Sequence, residues 1–248
     1  MKRLLIICLA VAAIIGVTAD AALAQSFTLN LGDEGGGGTT GRIVQLVALM
    51  TVLSLAPGIL IMITSFTRIV VVLSILRAAL GAQQAPPNMV LVSLAMFLTA
   101  FVMAPTFQRS YEQGISPLIE QKIDEKEAFK QVAVPFHDFM MSQVREKDLV
   151  LFMNMAKVNQ VATPEETPLQ ALIPAFMISE LRRAFEIGFL LYLPFLIIDL
   201  VVASVLMSMG MMMLPPVMIA LPFKLIFFVM VDGWYLIAGS LVRSFGIG

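Results

Sequence analysis

Prolines and lone charges sit inside almost every long apolar run of this chain, and this constrains its fold more than any other feature. Ile43 to Ile63 is long enough to span a bilayer, and Pro57-Gly58 inside it predicts a kink or break. The apolar pattern continues past Arg68 to Leu80, before Gly81 and Pro86-Pro87. A second span is predicted from Met89 to Phe107, with Pro105 near its end. A third, Ile187 to Met209, contains Pro194 and Asp199. A fourth, Val217 to Val231, contains Pro222 and Lys224. A charge at the centre of a span costs about 2.5–3.5 kcal/mol on insertion scales. Helices broken by proline need neighbours that satisfy the freed backbone groups. Such segments are expected to bury themselves against protein, in a larger assembly. Arg68 and Asp232 are also compatible with an interfacial position from which the charge reaches water. Asp199 is less so, because apolar residues flank it on both sides.

Composition supports a membrane protein. Hydrophobic residues make up 59% of the 248 and charged residues 13%, with a mean hydropathy of +0.92. A soluble domain carries about 25% charged residues. The net charge of -1 offers no basic surface, so nucleic acid is not an expected partner. One His and one Cys leave nothing to complete a zinc, haem or iron–sulfur site, and no cofactor is expected. Neither a phosphate-binding loop, a G-x-S-x-G elbow nor an H-E-x-x-H pair is present, so an enzyme is not expected either.

Lys2 and Arg3, then the apolar run Leu4 to Val17, then Ala22-Leu23-Ala24 describe a secretory signal peptide cleaved after residue 24. An uncleaved first membrane helix is the alternative. Cys8 lies in this segment, so the mature chain would hold no cysteine. Residues 25–42, with four consecutive glycines, read as a flexible linker. Cleavage would place residue 25 outside the cytoplasm. The first apolar hairpin, 43–108, would then leave the next region periplasmic, and the turn at 210–216 would face the cytoplasm.

Of 33 charged residues, 21 fall between Arg109 and Glu186. Residues 109–186 therefore read as a soluble helical region. Pro135 can open a helix, followed by Phe136, Phe139, Met140 and Val144 at helical spacing. Phe152 lies on a similar stripe, and Thr167-Pro168 is a helix start. The run from Asp124 to Glu127 reads as a solvated helix face. His137 beside Asp138 reads as a surface histidine. Glu180 with Arg183, and Arg182 with Glu186, are spaced to meet on one helix. They can serve as local salt bridges or as pairs between subunits, and spacing leaves both open.

The second apolar hairpin, 187–235, turns at Gly210, Met211, Met212, Met213, Leu214, Pro215 and Pro216, with Met207 and Met209 just before. Residues 236–248 follow as a tail. Turns favour polar residues, Gly and Pro. Three large apolar side chains there imply a cover, and Met is flexible enough to close around varied chains. A gasket and plain membrane-interface packing both fit.

The strings from Met62 through Thr67-Arg68 to Leu73, Pro86-Pro87-Asn88, Phe101 to Pro105, and Leu172 through Asp232-Gly233-Trp234 resemble the FliP family. These are flagellar type III export-gate proteins related to the R component of virulence injectisomes. The resemblance covers residues 43–245. It implies an all-α fold of membrane-associated helical hairpins with an amphipathic helical middle region, assembling into a helical ring. It implies a pore subunit in the bacterial inner membrane, at the flagellar basal body, with a periplasm-facing region. The implied partners are four further copies of itself, FliQ-like and FliR-like subunits, FlhB and FlhA-type proteins, and unfolded flagellar substrates. It assigns a methionine gasket to Met211, Met212 and Met213, with Met209 beside them and Gly210, Pro215 and Pro216 shaping the turn. Phe139, Phe152, Glu180 and Arg183 are expected at subunit contacts, and Asp199 and Lys224 are expected as buried charges. An assembly scaffold, or a small-solute or ion transporter prompted by Asp199 and Lys224, are the alternatives.

Overall fold

Leu80 ends a helix because Gly81 follows it in a left-handed conformation (φ 74), from which its amide bonds back to the Ala78 carbonyl. That helix is the centre of the fold. The structure, a computed structural model, describes residues 38–82, 85–157, 166–210 and 215–246. The chain divides into two units, Met1–Met50 and Thr51–Gly248. The predicted signal peptide and most of the predicted linker lie outside the described residues.

The helices are α1 (Gly38–Met62), α2 (Phe66–Leu80), α3 (Asn88–Ser110), α4 (Ser116–Ile119), α5 (Glu125–Gln143), α6 (Glu146–Met155), α7 (Leu169–Ser208), α8 (Pro216–Met230) and α9 (Gly233–Arg243). No strand occurs among the described residues, as the sequence predicts. A π-helical turn, Tyr111–Ile115, joins α3 to α4 without a break. The helix therefore continues to Ile119, beyond the predicted second span.

Two helices among the described residues, Asn88–Ile119 and Leu169–Ser208, are long and apolar enough to cross a membrane. The number rises to four if each of two bent pairs counts as one span. One pair bends by 66° between Met62 and Phe66, the other by 64° between Met230 and Gly233. Pro57 does not break its helix. The bend comes six residues later, where the Thr64 hydroxyl accepts from the Phe66 amide and donates to the Ile61 carbonyl.

Two further sequence expectations are corrected. Pro135 lies in the interior of α5, which opens ten residues earlier. There the Asp124 carboxylate accepts from the Glu127 amide, a local cap that outweighs a proline signal. The composition boundary at residue 186 has no counterpart in the backbone either. One helix, α7, runs through it for 40 residues, past Pro174 and Pro194. The Thr167-Pro168 signal is closer, since α7 begins at Leu169.

The main core gathers around α2. Ile69, Val72, Leu73, Leu76 and Leu80 pack on Leu91, Ala95 and Val102 of α3, on Ala184 and Phe195 of α7, and on Ile237 and Leu241 of α9. Gly188 lets α7 approach closely. A β-carbon there would stand 2.4 Å from Ile75. A smaller core, Met140, Leu172 and Phe176, joins α5 to α7.

Candidate functional site

Arg68 enters α2 two residues after the helix starts and points inward, with no solvent exposure. Every guanidinium nitrogen has a partner. Nε donates to Glu180 Oε2 at 2.9 Å, and Nη2 to Glu180 Oε1 and to Gln143 Oε1 (3.0 Å). Nη1 donates to the carbonyl and the hydroxyl of Ser244, both at 3.0 Å. The Phe245 ring lies under the guanidinium, 3.7 Å away. One side chain thus ties together α2, α5, α7 and the turn after α9. Arg is suited to this, because its planar fork matches a carboxylate bidentately and stacks on an aromatic face.

This overturns two expectations. Arg68 does not reach for water at an interface, since it has no solvent exposure and all its nitrogens are bonded within the chain. Glu180 does not pair with Arg183, three residues on. The α7 turn that carries Glu180 faces α2, and both carboxylate oxygens belong to Arg68. Glu180 is itself fully buried within the chain, so it is not placed on a surface that another copy reaches. Arg183 instead donates to Gln143 Oε1 at 3.0 Å. The Arg182–Glu186 pair does form, at 2.8 Å on the exposed face.

A second polar group adjoins the first. The Ser179 hydroxyl donates to Asp148 Oδ2 at 2.6 Å, and Arg145 donates to the same oxygen at 2.6 and 2.9 Å. The Arg145 amide donates to the Ser179 hydroxyl. Burial of Asp148 disfavours its charged form. The bonds from Ser179 and Arg145, with the charges of Arg145 and Arg182, outweigh that and hold the carboxyl below the usual aspartate range.

Asp199 and Lys224, expected as buried charges, pair with each other, Lys224 buried and Asp199 partly exposed. The Lys224 ammonium, 3% exposed, donates to Asp199 Oδ2 at 2.6 Å and to the Ala79 carbonyl at 3.0 Å. A cation on the last turn of α2 complements the negative end of that helix. Only one carboxylate oxygen is engaged, because Asp199 Oδ1 has no partner among the described residues.

Asp199 against Lys224, and Phe195 against Phe227 and Phe228, set α7 and α8 antiparallel. α7 ends towards Gly210, and Pro215 precedes α8. Gly210 (φ +75) closes α7 by bonding its amide to the Met207 carbonyl at 3.1 Å. Pro215 and Pro216 open α8. Met211, Met212 and Met213 lie outside the described residues. On the arms beside them, Met207, Met209, Val217 and Met218 are all exposed.

The remaining singled-out residues sit in the charged region. Phe139 is half-buried, with its ring edge-on to Phe176 at 5.9 Å and stacked on Phe245 at 6.2 Å. Phe152 is half-buried on α6. His137 is not a free surface residue, because its Nε2 donates to the Thr167 carbonyl at 2.9 Å. Gln143, Asp148, Ser179, Ser244 and Phe245 are residues that sequence reasoning missed. Nothing local marks them, and only Arg68 advertised a need for partners.

The FliP family model matches residues 49–241, the stretch that holds the Arg68–Glu180 and Asp199–Lys224 pairs and both arms of the hairpin. The chain belongs to the FliP family. The flagellar biosynthetic protein FliP of Caulobacter vibrioides is 62% identical over 249 residues, covering 100% of this chain and 93% of that protein. That of Rhizobium meliloti is 53% identical over 225 residues (90% and 92%), and that of Bacillus subtilis 57% over 202 (82% and 91%). Membership carries a part in flagellar biosynthesis. Ser244 and Phe245, which close the Arg68 site, lie just beyond the matched stretch.

Proposed function

We propose that this chain is a pore-forming subunit of the flagellar type III export gate, a gated channel through which unfolded flagellar proteins leave the cell. Membership of the FliP family carries the reading, and the α7–α8 hairpin gives it a physical basis. Both arms present exposed Met and Val side chains on either side of a turn of three further methionines. A turn of that composition suits a seal made by several copies around one axis. Met211, Met212 and Met213 form this gasket, with Met209 supporting it.

In this reading five copies assemble in the inner membrane with FliQ-like and FliR-like subunits. FlhB and FlhA-type proteins lie against the ring, and the charged helices α5 and α6 face the periplasm. Phe152 and Arg183 are the candidates for contacts between copies. The chain acts passively, without an enzymatic step, and the energy for export comes from partners. Asp199 and Lys224 favour this over an ion or solute transporter, because they pair with each other and Lys224 also bonds the Ala79 carbonyl at the end of α2.

The test places Met212→Cys in the assembled gate and crosslinks a substrate stalled in transit. An adduct at that position is expected. An assembled gate that passes substrate yet gives no adduct would refute the gasket and leave a scaffold whose pore is lined by partners.

A further inference from the structure

Among the arginines gathered around Glu180 and Asp148, Arg183 alone has no hydrogen bond to a carboxylate within the described residues. Arg68 takes both oxygens of Glu180, Arg145 bonds Asp148, and Arg182 bonds Glu186. Arg183 makes a single bond, to Gln143 Oε1 at 3.0 Å, and Arg68 Nη2 already uses that oxygen. Its charge is felt at Glu180 and Glu186, yet neither carboxylate bonds it. The side chain is half-buried, and most of its donor fork is unused. Ile187, Leu190 and Ile197 follow it on the same face of α7 at helical spacing. Leu190 is 65% exposed and Ile197 58%. Arginine beside large apolar side chains is a combination that protein interfaces favour. Covering this face takes Arg183 out of water, and a desolvated guanidinium without a counter-charge is costly. The covering partner therefore has to bring an acceptor. A carboxylate fits the fork bidentately.

The same chain supplies such groups. Glu125, Glu146 and Glu166 are exposed, and none makes a side-chain hydrogen bond or ion pair among the described residues. Glu125 and Glu166 lie about 20 Å or more along α5 and α7 from the Gln143–Arg183 bond, so within one chain neither reaches Arg183. A ring of identical copies joins one face of each copy to a different face of the next. A cation short of a partner on one face and spare carboxylates elsewhere suit that arrangement.

We propose that Arg183 is the cationic anchor of the contact between copies, and that it takes a carboxylate from a second copy of this chain, supplied by Glu125, Glu146 or Glu166. The proposal deepens the ring reading and rests on it for the presence of a second copy. Gln143 holds one edge of the fork and orients it, and the incoming carboxylate takes the free edge. Because Gln143 also serves Arg68, the fork is presented in this way only once α2, α5 and α7 have closed on Arg68. Only a folded copy then offers the contact.

Carbodiimide coupling tests the contact in the assembled complex in native membranes. Arg183→Lys keeps the cation and adds an amine, which the reagent joins to a carboxylate only where the two touch. A new amide between two copies is expected, absent from the native chain, with mass spectrometry locating its acid at one of the three glutamates. Arg183→Met is expected to lower co-purification of differently tagged copies about tenfold or more, with unchanged protease resistance of each copy. Replacing the coupled glutamate with Gln is expected to give the same loss without touching the Arg68 site. That variant carries the test where a change at Arg183 does not accumulate. An assembled Arg183→Lys complex that forms no amide between copies overturns the contact, and so does native co-purification of Arg183→Met. Native assembly with loss of bound anionic phospholipid assigns Arg183 to a lipid phosphate and also overturns it. The amide between copies, found where Met212→Cys gives no substrate adduct, keeps the contact and counts against the gate.

Discussion

Arg68 and Glu180, 112 positions apart, form an ion pair in which neither side chain has any exposure to solvent. A buried pair of this kind does not itself guarantee stability, because removing two charges from water offsets much of their attraction. Removing one partner strands the other, at about 3–5 kcal/mol. Glu180→Gln and Arg68→Met are each expected to lose most of the protein from the membrane. Arg68→Met with Glu180→Leu is expected to recover more than either alone. Arg68→Lys should resemble the loss variants, because an ammonium cannot serve Glu180, Gln143 and Ser244 together. Steady-state membrane levels and limited proteolysis check all four.

Phe245 and Ser244 close the same site by different means. Phe245→Ala empties a ring that lies 3.7 Å from the guanidinium and packs in the main core, at about 3–5 kcal/mol. Ser244→Ala removes one acceptor but keeps the carbonyl, at about 1 kcal/mol. Thermal unfolding in detergent should therefore rank Phe245→Ala well below Ser244→Ala. Equal effects would mean that the ring does not seal the pair.

Asp148 gives the fold a dependence on acid. Its folded carboxyl titrates below the usual range, so folding favours the charged form. The resulting stability is complete above the unfolded value of about 3.9 and is lost as pH falls through the folded value. Asp148→Asn lacks this contribution. The gap in melting temperature between native protein and variant is expected to be widest near neutral pH and to close below about pH 4. A gap independent of pH would assign Asp148 a purely steric role.

How far the sequence led can be seen at Arg68 and at Asp199. Both stood out as charges among apolar residues, and both proved to be paired, Arg68 fully buried and Asp199 with its side chain 25% exposed. For Asp199 the partner was singled out too, as a charge in the next apolar segment, but the pairing itself comes from the antiparallel packing of α7 and α8. For Arg68 the pairing was hidden further. Glu180 had an eligible neighbour at helical spacing, Arg183, and only the packing of α7 on α2 decides between them. Helical content and apolar spans follow from local pattern and were legible. The start of α5 was misread because Pro135 gave the stronger-looking signal, whereas the carboxylate cap at Asp124 governs. The continuity of α7 was hidden by a change of composition at residue 186, which marks a change of surroundings and not a helix end.

Gly114 sits in the π-helical turn, pressed on α5. A β-carbon there would lie 2.4 Å from the Val132 side chain and 3.0 Å from both the Ala128 carbonyl oxygen and the Val132 amide nitrogen. Backbone atoms cannot step aside as a side-chain end can. Gly114→Ala is expected to cost about 1–3 kcal/mol through overpacking. Gly188→Ala meets only side-chain atoms of Ile75, the δ-carbon at 2.4 Å and the γ2 and β carbons at 3.0 and 3.2 Å, and no backbone atom, and should cost less. Denaturant titration of the two variants compares them directly, and a smaller cost for Gly114→Ala would show that the π-helical turn can relax away from α5.

The gasket reading makes a demand on ion conductance that a scaffold does not. If Met211, Met212 and Met213 close the pore by bulk and flexibility, replacing all three with Ala opens a path for small ions while substrates still pass. Replacing them with Leu keeps the bulk and loses the adaptability of the thioether chain. The Ala variant is expected to leak ions in the resting state and to retain export at reduced efficiency. The Leu variant is expected to stay tight at rest but to export poorly. Conductance across membranes carrying the assembled complex, measured with motility, separates the two, and an Ala variant as ion-tight as the native gate would remove the methionines from the seal.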